Sequence, residues 1–223
     1  LQGSGVLSLA TGSVTGVQAA GVLNVATASV TGAQFGVVNV ATEGISGAQF
    51  GLINYALDSD FSFGLLNIIP HGRTHVSVWG DETGTAHVSL KHGTKHFHNI
   101  YDVGYRLSGE DYALHFGLGL GGHIPILDNL SVDLDLLASR VTTTNFEKEE
   151  INLVNRFNAT LGWEIAPKLT VFAGPSVSVF VSKKHDGASL PLFGDQLVVD
   201  AGKPDKEVNV RVWPGFVVGI RGL

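Results

Sequence analysis

From about Arg73 onward, apolar and polar residues alternate along the chain with a period of two. In the segment 112–126, large apolar residues occupy one parity, while small or polar residues, His115 and His123 among them, occupy the other. The same alternation recurs in 101–107, 130–136, 151–165, 169–182 and 208–221. Successive side chains of a β-strand point to opposite faces. The pattern therefore predicts strands with one apolar and one polar face.

We predict eight such strands, over residues 74–81, 85–92, 98–107, 111–126, 130–140, 150–165, 168–182 and 207–221. Several apolar faces run for 10 residues or more. Strands of soluble proteins average about 5–6 residues, whereas a tilted membrane-spanning strand needs about 9–11. A soluble sandwich would also alternate, but the length favours an all-β fold with an antiparallel transmembrane β-barrel over residues 71–223.

The N-terminal segment repeats itself. A Gly-Val-x-Asn-x-Ala-like unit begins at glycines spaced by 16, 15, 15 and 13 residues, namely Gly5, Gly21, Gly36, Gly51 and Gly64. Two short β-prone runs separated by turn residues predict a β-solenoid-like module over residues 1–70. Stacked coils would form two amide ladders, one of Asn24, Asn39, Asn54 and Asn67 and one of Gln18, Gln34 and Gln49.

An alternative geometry makes each 15-residue unit one strand and a turn of a larger barrel. Neither face of the segment 30–41 is cleanly apolar, however. This mixed pattern favours the solenoid.

Composition supports a membrane protein. The charged fraction is 15% and the mean hydropathy is +0.23, against about 25% charged residues in soluble domains. No run approaches the roughly 20 apolar residues that a spanning helix requires, and a closed barrel is the other spanning structure. The chain has no cysteine and a net charge of −6, so neither a thiolate site nor a nucleic-acid partner is expected. It begins at Leu1 without a basic, apolar leader, so we expect a mature or trimmed chain.

Loop lengths indicate an orientation. The connections 127–129 and 166–168 are tight, whereas 140–150 and 183–206 are long and polar. Outer-membrane barrels have short periplasmic turns and long external loops. We therefore expect the C-terminus on the periplasmic side, and with an even strand count the repeats would start there too, unless they thread into the barrel.

The inward parity collects charged residues, which we expect to form a lumen network. Enclosed charges must pair, and four arginines against four carboxylates are nearly balanced. The predicted network consists of Asp102, Arg106, His115, His123, Asp133, Asp135, Arg156, Glu164, Arg211 and Arg221. The alternative reading of the same face is a polar conduit for small solutes.

The sequence contains candidate metal and catalytic residues, but neither set is complete. His92, His96 and His98 share one connection, and such tracts bind Zn²⁺ or Cu²⁺ in other proteins, but no carboxylate or cysteine completes a site nearby. A lipid-modifying hydrolase would need a serine and a histidine together, and His115 and His123 have no partner at the level of motifs. We predict no catalytic residue, no metal and no cofactor.

The repeats resemble a known family. The pattern Val-Thr-Gly-x-Gln-x-Gly-Val-x-Asn-x-Ala, followed by Gly64-Leu-Leu-Asn-Ile68 and His75-Val-Ser-Val-Trp79, resembles bacterial surface-repeat proteins first recognised in spirochaetes. The resemblance covers residues 1–70 and implies a place at the cell surface or outer membrane, with no established activity. The chain departs from the pattern at Ser8, which replaces asparagine, and at the additional Ala20.

The sequence thus predicts a non-enzymatic protein of the bacterial outer membrane with a structural or interaction role. Membrane lipid is the expected partner. The repeats or the 183–206 connection would contact lipid or protein, and one form of the hypothesis places these contacts within a homo-oligomer. The alternatives are a small-solute pore and a lipid-modifying enzyme.

Overall fold

A computed structural model describes residues 1–108, 111–143, 152–182, 199–200 and 209–222. Its contacts divide the chain into two compact units. The repeat unit comprises Leu1–Thr74 and Lys91–Asn99, and the barrel unit comprises His75–Leu90 and Ile100–Leu223. Within the described ranges, no helix has the length and apolar character needed to cross a membrane. The long polar connections predicted at 140–150 and 183–206 lie for the most part outside the described residues.

Two parallel sheets form the repeat unit. Sheet 1 contains, in spatial order, β1 (Gln2–Ser4), β3 (Val14–Ala20), β5 (Val30–Phe35), β7 (Ile45–Phe50) and β9 (Ser59–Phe63). Sheet 2 contains β2 (Leu7–Ala10), β4 (Leu23–Ala26), β6 (Val38–Ala41), β8 (Ile53–Ala56) and β10 (Leu66–Ile68).

Each repeat is one coil that contributes a strand to each sheet. Equivalent residues pair between neighbouring coils, so that Gln34 lies beside Gln49 and Asn39 beside Asn54. The predicted solenoid is therefore confirmed, and the alternative of additional barrel strands is wrong. The runs are too short to be spanning strands, and identical residues stack well when parallel strands lie in register.

A column of glycines in sheet 1 is required by the backbone. Gly16, Gly32 and Gly47 have φ angles of +110°, +136° and +135°, a region that side-chain-bearing residues rarely adopt. A Cβ at Gly47 would lie 2.0 Å from the carbonyl oxygen of Gly32. Glycine therefore recurs at this position in these three coils because successive coils approach one another closely.

The barrel is a closed antiparallel sheet of eight strands, as predicted. These are β11 (Arg73–Asp81), β12 (Ala86–Gly93), β13 (Phe97–Ser108), β14 (Asp111–Leu127), β15 (Leu130–Thr143), β16 (Asn152–Ala166), β17 (Leu169–Ser182) and β19 (Asn209–Gly222). Pairing of β11 with β19 closes the sheet, and the two-residue β18 (Val199–Asp200) adds to β19. The C-terminal end of β19, the turn between β14 and β15 and the turn between β16 and β17 lie at one end of the barrel, since neighbouring strands are antiparallel.

The strands present large apolar side chains outward and bury their polar ones. On β14 and β15 the exposed residues include Phe116, Leu118, Leu134 and Leu136, whereas intervening positions such as His115 and Asp135 are buried. Further exposed apolar residues are Val78, Val88, Leu90, Val103, Tyr105, Ile124, Phe157, Leu161, Trp163, Val177, Phe216, Val218 and Ile220. This distribution is the reverse of that in a soluble protein.

The glycine column provides a test of the solenoid. We expect Gly47→Ala to lower the local stability of the repeat unit by about 1–3 kcal/mol, because alanine would be strained at this φ and would collide with Gly32. Hydrogen–deuterium exchange over residues 30–56 measures the change. Gly12→Ala is the matched control, because a Cβ at Gly12 meets nothing within 4 Å. Equal exchange in both variants would contradict the packing described.

Candidate functional site

Four asparagines form a hydrogen-bonded column inside the repeat unit. Each Nδ2 donates to the Oδ1 of the asparagine one coil further on, over 2.8 Å from Asn24 to Asn39, 2.8 Å from Asn39 to Asn54 and 2.7 Å from Asn54 to Asn67. The same nitrogens donate to main-chain carbonyl oxygens of Phe35, Phe50 and Phe63. All four side chains are buried. In-register stacking thus supplies the partners that an enclosed amide needs.

The glutamine column has the opposite polarity. Gln49 donates to Gln34 over 2.9 Å and Gln34 donates to Gln18 over 2.8 Å, while the Ser62 hydroxyl donates to Gln49. The glutamine donors therefore point toward the first coil, and the asparagine donors point away from it. Each Nε2 also donates across the interior to a carbonyl oxygen of sheet 2, on Val25, Val40 or Tyr55. These bonds tie the two sheets together.

The asparagine column is incomplete at the first coil. Ser8 occupies the asparagine position there, and its carbonyl oxygen and hydroxyl accept from Gln18 at 3.1 and 3.2 Å. Asn24 Oδ1 is buried and has no hydrogen-bond partner among the described residues. The departure from the repeat pattern at Ser8 thus leaves one acceptor unsatisfied.

At its other end the column continues onto a residue that sequence reasoning missed. Asn67 donates to Asn99 Oδ1 over 2.5 Å, and Asn99 donates to the carbonyl oxygens of Gly64 and Leu65. The Phe97 ring packs against Phe61 with a centroid distance of 5.0 Å. Residues 97–99 therefore act as a further rung. Nothing in the repeat spacing signals this, because Asn99 is 32 residues beyond Asn67.

The barrel interior is organised around Arg156. Its Nη1 lies 2.5 Å from Asp81 Oδ2, its Nη2 donates to Glu82 Oε1 over 3.3 Å, and its Nε donates to the Ser178 hydroxyl over 3.0 Å. Glu82 also accepts from Trp213 Nε1 at 2.6 Å. All of these side chains are buried, and the exposed fraction of Glu82 is 0%.

A second group surrounds Asp102. Its two oxygens meet His87 Nδ1 at 2.7 Å and the Ser89 hydroxyl at 2.5 Å. Trp79 donates to Ser89 over 2.7 Å, and its ring stacks on His87 at a centroid distance of 3.8 Å. Ser89 and His87 thus share a carboxylate, and this geometry differs from that of a nucleophile facing its general base.

A third group lies near the end of the barrel that carries the tight turns. Asp133 contacts His123 Nδ1 at 2.5 Å through one oxygen and Arg221 Nη1 through the other. Arg221 also donates to the Ser131 hydroxyl over 2.8 Å. Three strands are therefore connected through one buried carboxylate, with residues from β14, β15 and β19.

The remaining predicted lumen residues differ in depth. Arg106, His115 and Asp135 are buried, and Arg211 is half-buried. The prediction that Glu164 is enclosed is wrong, because Glu164 is exposed two residues before the end of β16. Alternation indicates the side to which a residue points, but it does not indicate how far along the barrel the interior extends.

Sequence reasoning also missed Asp81, Glu82 and His87. Asp81 and Glu82 stand where β11 ends, and the predicted network included no residue of the first hairpin. His87 could have been recognised, because His87 and Ser89 alternate with the outward-facing Val88 and Leu90.

Apolar side chains fill much of the remaining lumen. One buried cluster comprises Trp79, Ile100, Leu137, Phe172 and Val217, and another comprises Ala113, Val141, Val154, Phe180 and Trp213. Arg156 links them, since its guanidinium lies 5.7 Å from the Trp79 ring and shares Glu82 with Trp213. Among the described residues, no three His, Asp or Glu side chains are placed to hold a metal ion.

Fold and interior together define a class: a closed eight-stranded antiparallel barrel that is apolar outside and polar inside, with a β-solenoid module. No family model matches the chain, and no curated protein matches it significantly. Among solved structures, the chain is similar to Neisserial surface protein A (NspA), with 10% identity and a TM-score of 0.39. The match covers 67% of this chain and 92% of NspA.

The interrupted asparagine column can be completed by substitution. We expect Ser8→Asn to stabilise the first coils by about 0.5–1.5 kcal/mol, because the new Nδ2 would donate to Asn24 Oδ1. Hydrogen exchange over residues 14–26 measures the gain. Ser8→Ala is the control and should lower stability, since it removes an acceptor of Gln18. A Ser8→Asn variant no more stable than Ser8→Ala would contradict the ladder.

The lumen network can be tested at Arg156. We expect Arg156→Met to destabilise the barrel by about 3–5 kcal/mol, because Asp81 and Glu82 would lose their buried cation. Adding Glu82→Gln should recover part of this loss, since the glutamine is neutral. Urea unfolding in lipid vesicles measures both effects, with the exposed Arg140→Met as control. Unchanged stability of Arg156→Met would show that the network contributes nothing.

Proposed function

We propose that this chain is a non-enzymatic outer-membrane protein whose barrel anchors it in the lipid bilayer. One observation carries the proposal: large apolar side chains are exposed along the outside of the barrel, while charged side chains are buried inside it. A hydrocarbon environment is the medium in which that distribution is stable. Lipid is therefore the proposed partner of the outer face.

Strand length supports the same conclusion. β14, β15, β16 and β17 contain 17, 14, 15 and 14 residues. A tilted strand needs about 9–11 residues to cross the hydrocarbon core. Among the described strands, closure of β11 on β19 leaves no long unpaired edge, as a spanning sheet requires.

The packed interior favours a structural role over conduction or catalysis. The apolar clusters and the Arg156 network occupy the space through which a solute would pass. Interior groups of an eight-stranded barrel commonly fill it in this way. The proposed role of the lumen is to stabilise the barrel by connecting β11, β14, β15, β16 and β19.

Orientation and context extend the proposal. The tight turns after β14 and β16 would face the periplasm, together with the C-terminal end of β19. The resemblance of the repeats to bacterial surface-repeat proteins agrees with an outer-membrane location. Self-association remains a prediction from the sequence.

The lipid-facing assignment is tested at Leu136, which lies mid-strand on β15 and is 62% exposed. We expect Leu136→Arg to cost about 2–4 kcal/mol of stability in bilayers, because arginine is unfavourable at the bilayer midplane. Leu127→Arg is the matched control, since Leu127 is similarly exposed, at 63%, but stands at the end of β14. At this depth arginine should cost only about 0–1 kcal/mol.

Urea titration of each variant in vesicles measures the difference. Equal effects of the two substitutions would contradict a bilayer whose midplane lies at the level of Leu136. Single-channel recording of the unmodified protein in a planar bilayer tests the alternative function, a small-solute pore. Sustained conductance would favour the pore, whereas the packed lumen predicts no conductance.

A further inference from the structure

Every coil of the repeat unit has two unlike corners. The corner between a sheet 1 strand and the following sheet 2 strand carries one aliphatic residue per coil, and these form the aliphatic edge: Val6, Val22, Val37, Leu52 and Leu65. Their exposed fractions range from 41% to 65%. The opposite corner forms the polar edge, made of residues 11–13, 27–29, 42–44 and 57–59, which are mostly Thr, Ser, Gly, Glu and Asp.

The outward face of sheet 1 follows the same gradient, whereas that of sheet 2 is apolar across its width. On sheet 1, the outward residues near the polar edge are Thr15, Thr31, Ser46 and Asp60, and those near the aliphatic edge are Phe35, Phe50 and Phe63. Phe35 and Phe50 stack with their centroids 4.9 Å apart. On sheet 2, the outward residues beside the aliphatic edge are Leu7, Leu23, Val38, Ile53 and Leu66, and those beside the polar edge are Leu9, Val25, Val40, Tyr55 and Ile68.

Charge is confined to the polar side. Residues 1–70 contain three charged side chains, Glu43, Asp58 and Asp60, and residues 1–42 contain none. Glu43 and Asp58 lie on the polar edge, and Asp60 is an outward residue beside it. The amide groups of the repeats are directed into the interior, where they bond one another.

We propose that the aliphatic edge and the adjoining Phe column contact the acyl chains of membrane lipid, with the polar edge turned toward water. The edge offers no side-chain hydrogen-bonding group and no charge, whereas protein interfaces combine an apolar centre with a polar rim and about ten hydrogen bonds. On sheet 1 and at the two edges, one side is apolar and the other polar, a division that is typical of elements that lie at a lipid surface. An aliphatic column of this extent is rarely left exposed to water.

This inference rests on the proposed function, since it needs the chain to be in a membrane. It adds a second lipid contact, made by the repeats themselves. In this setting the amide ladders also keep polar side chains out of contact with lipid, because the amides point inward and bond one another.

Site-directed spin labelling of the full chain in phosphatidylethanolamine–phosphatidylglycerol vesicles tests the proposal. The chain contains no cysteine, so single labels can be placed at Val37→Cys and Leu52→Cys on the aliphatic edge. Ser29→Cys and Glu43→Cys on the polar edge are matched controls from the same coils. Leu136→Cys on β15 serves as the barrel reference, and unchanged electrophoretic mobility of the folded barrel shows that each variant is folded.

Collision with oxygen, which partitions into acyl chains, is compared with collision with a water-soluble nickel chelate. We expect the collision rate with oxygen to exceed that with the nickel chelate several-fold at positions 37 and 52. At positions 29 and 43 we expect the collision rate with the nickel chelate to be the higher of the two. Nickel access at 37 and 52 equal to that at 43 would overturn the inference. Shielding of 37 and 52 from both reagents would also overturn it and would indicate a second copy or another protein on this edge.

The barrel reference separates the two claims. Oxygen contact at position 136 without oxygen contact at 37 and 52 would reject only the role of the repeats. Loss of oxygen contact at 136 as well would reject the proposed function.

Discussion

An enclosed amide or carboxylate costs free energy unless a partner meets it, and both units of this chain enclose many such groups. In the repeat unit, the partner of each asparagine is the same residue one coil away, so a single repeated position satisfies the whole column. In the barrel, Arg156 meets Asp81 and Glu82, and Arg221 meets Asp133. Internal pairing of polar groups is what permits the outside of the barrel and the aliphatic edge of the repeat unit to be apolar.

This constraint explains the choice of residues. Glycines such as Gly36 and Gly51 precede the asparagines because a Cβ there would lie 2.6–2.7 Å from the amide nitrogens of the ladder. In the barrel, Gly215 faces the Glu82 carboxyl group, where a Cβ would lie 2.2 Å from its carbon. Small residues at these positions thus make room for the polar contacts.

Much of this was predictable from the sequence, because two short-range rules apply. The sequence predicted eight barrel strands, with the alternation clearest in the last six, and β14 and β17 differ from their predicted limits by a single residue at one end. The regular spacing of the repeats identified the solenoid and brought Asn24, Asn39 and Asn54 to equivalent positions. Both rules depend on local geometry, which survives without knowledge of the rest of the fold.

Contacts that depend on depth or on distant segments could not be predicted. Glu164 has the parity of an interior residue but is exposed because the strand ends there, and Glu82 is buried although the strand pattern did not include it. Asn99 joins the asparagine column from outside the repeats. Repeat spacing and strand parity contain no information on such contacts, because these contacts form only when segments far apart in the sequence come together in the folded sheets.

The central claim is that the outward faces of the barrel strands contact hydrocarbon. Nuclear Overhauser effects between lipid acyl protons and side chains of the protein in nanodiscs measure this contact directly. We expect acyl cross-peaks at Phe116, Leu118 and Leu136, with none at the intervening His115, Leu137 and Ser139. Cross-peaks without this two-residue alternation, or a barrel that is stable and monomeric in plain buffer, would contradict it.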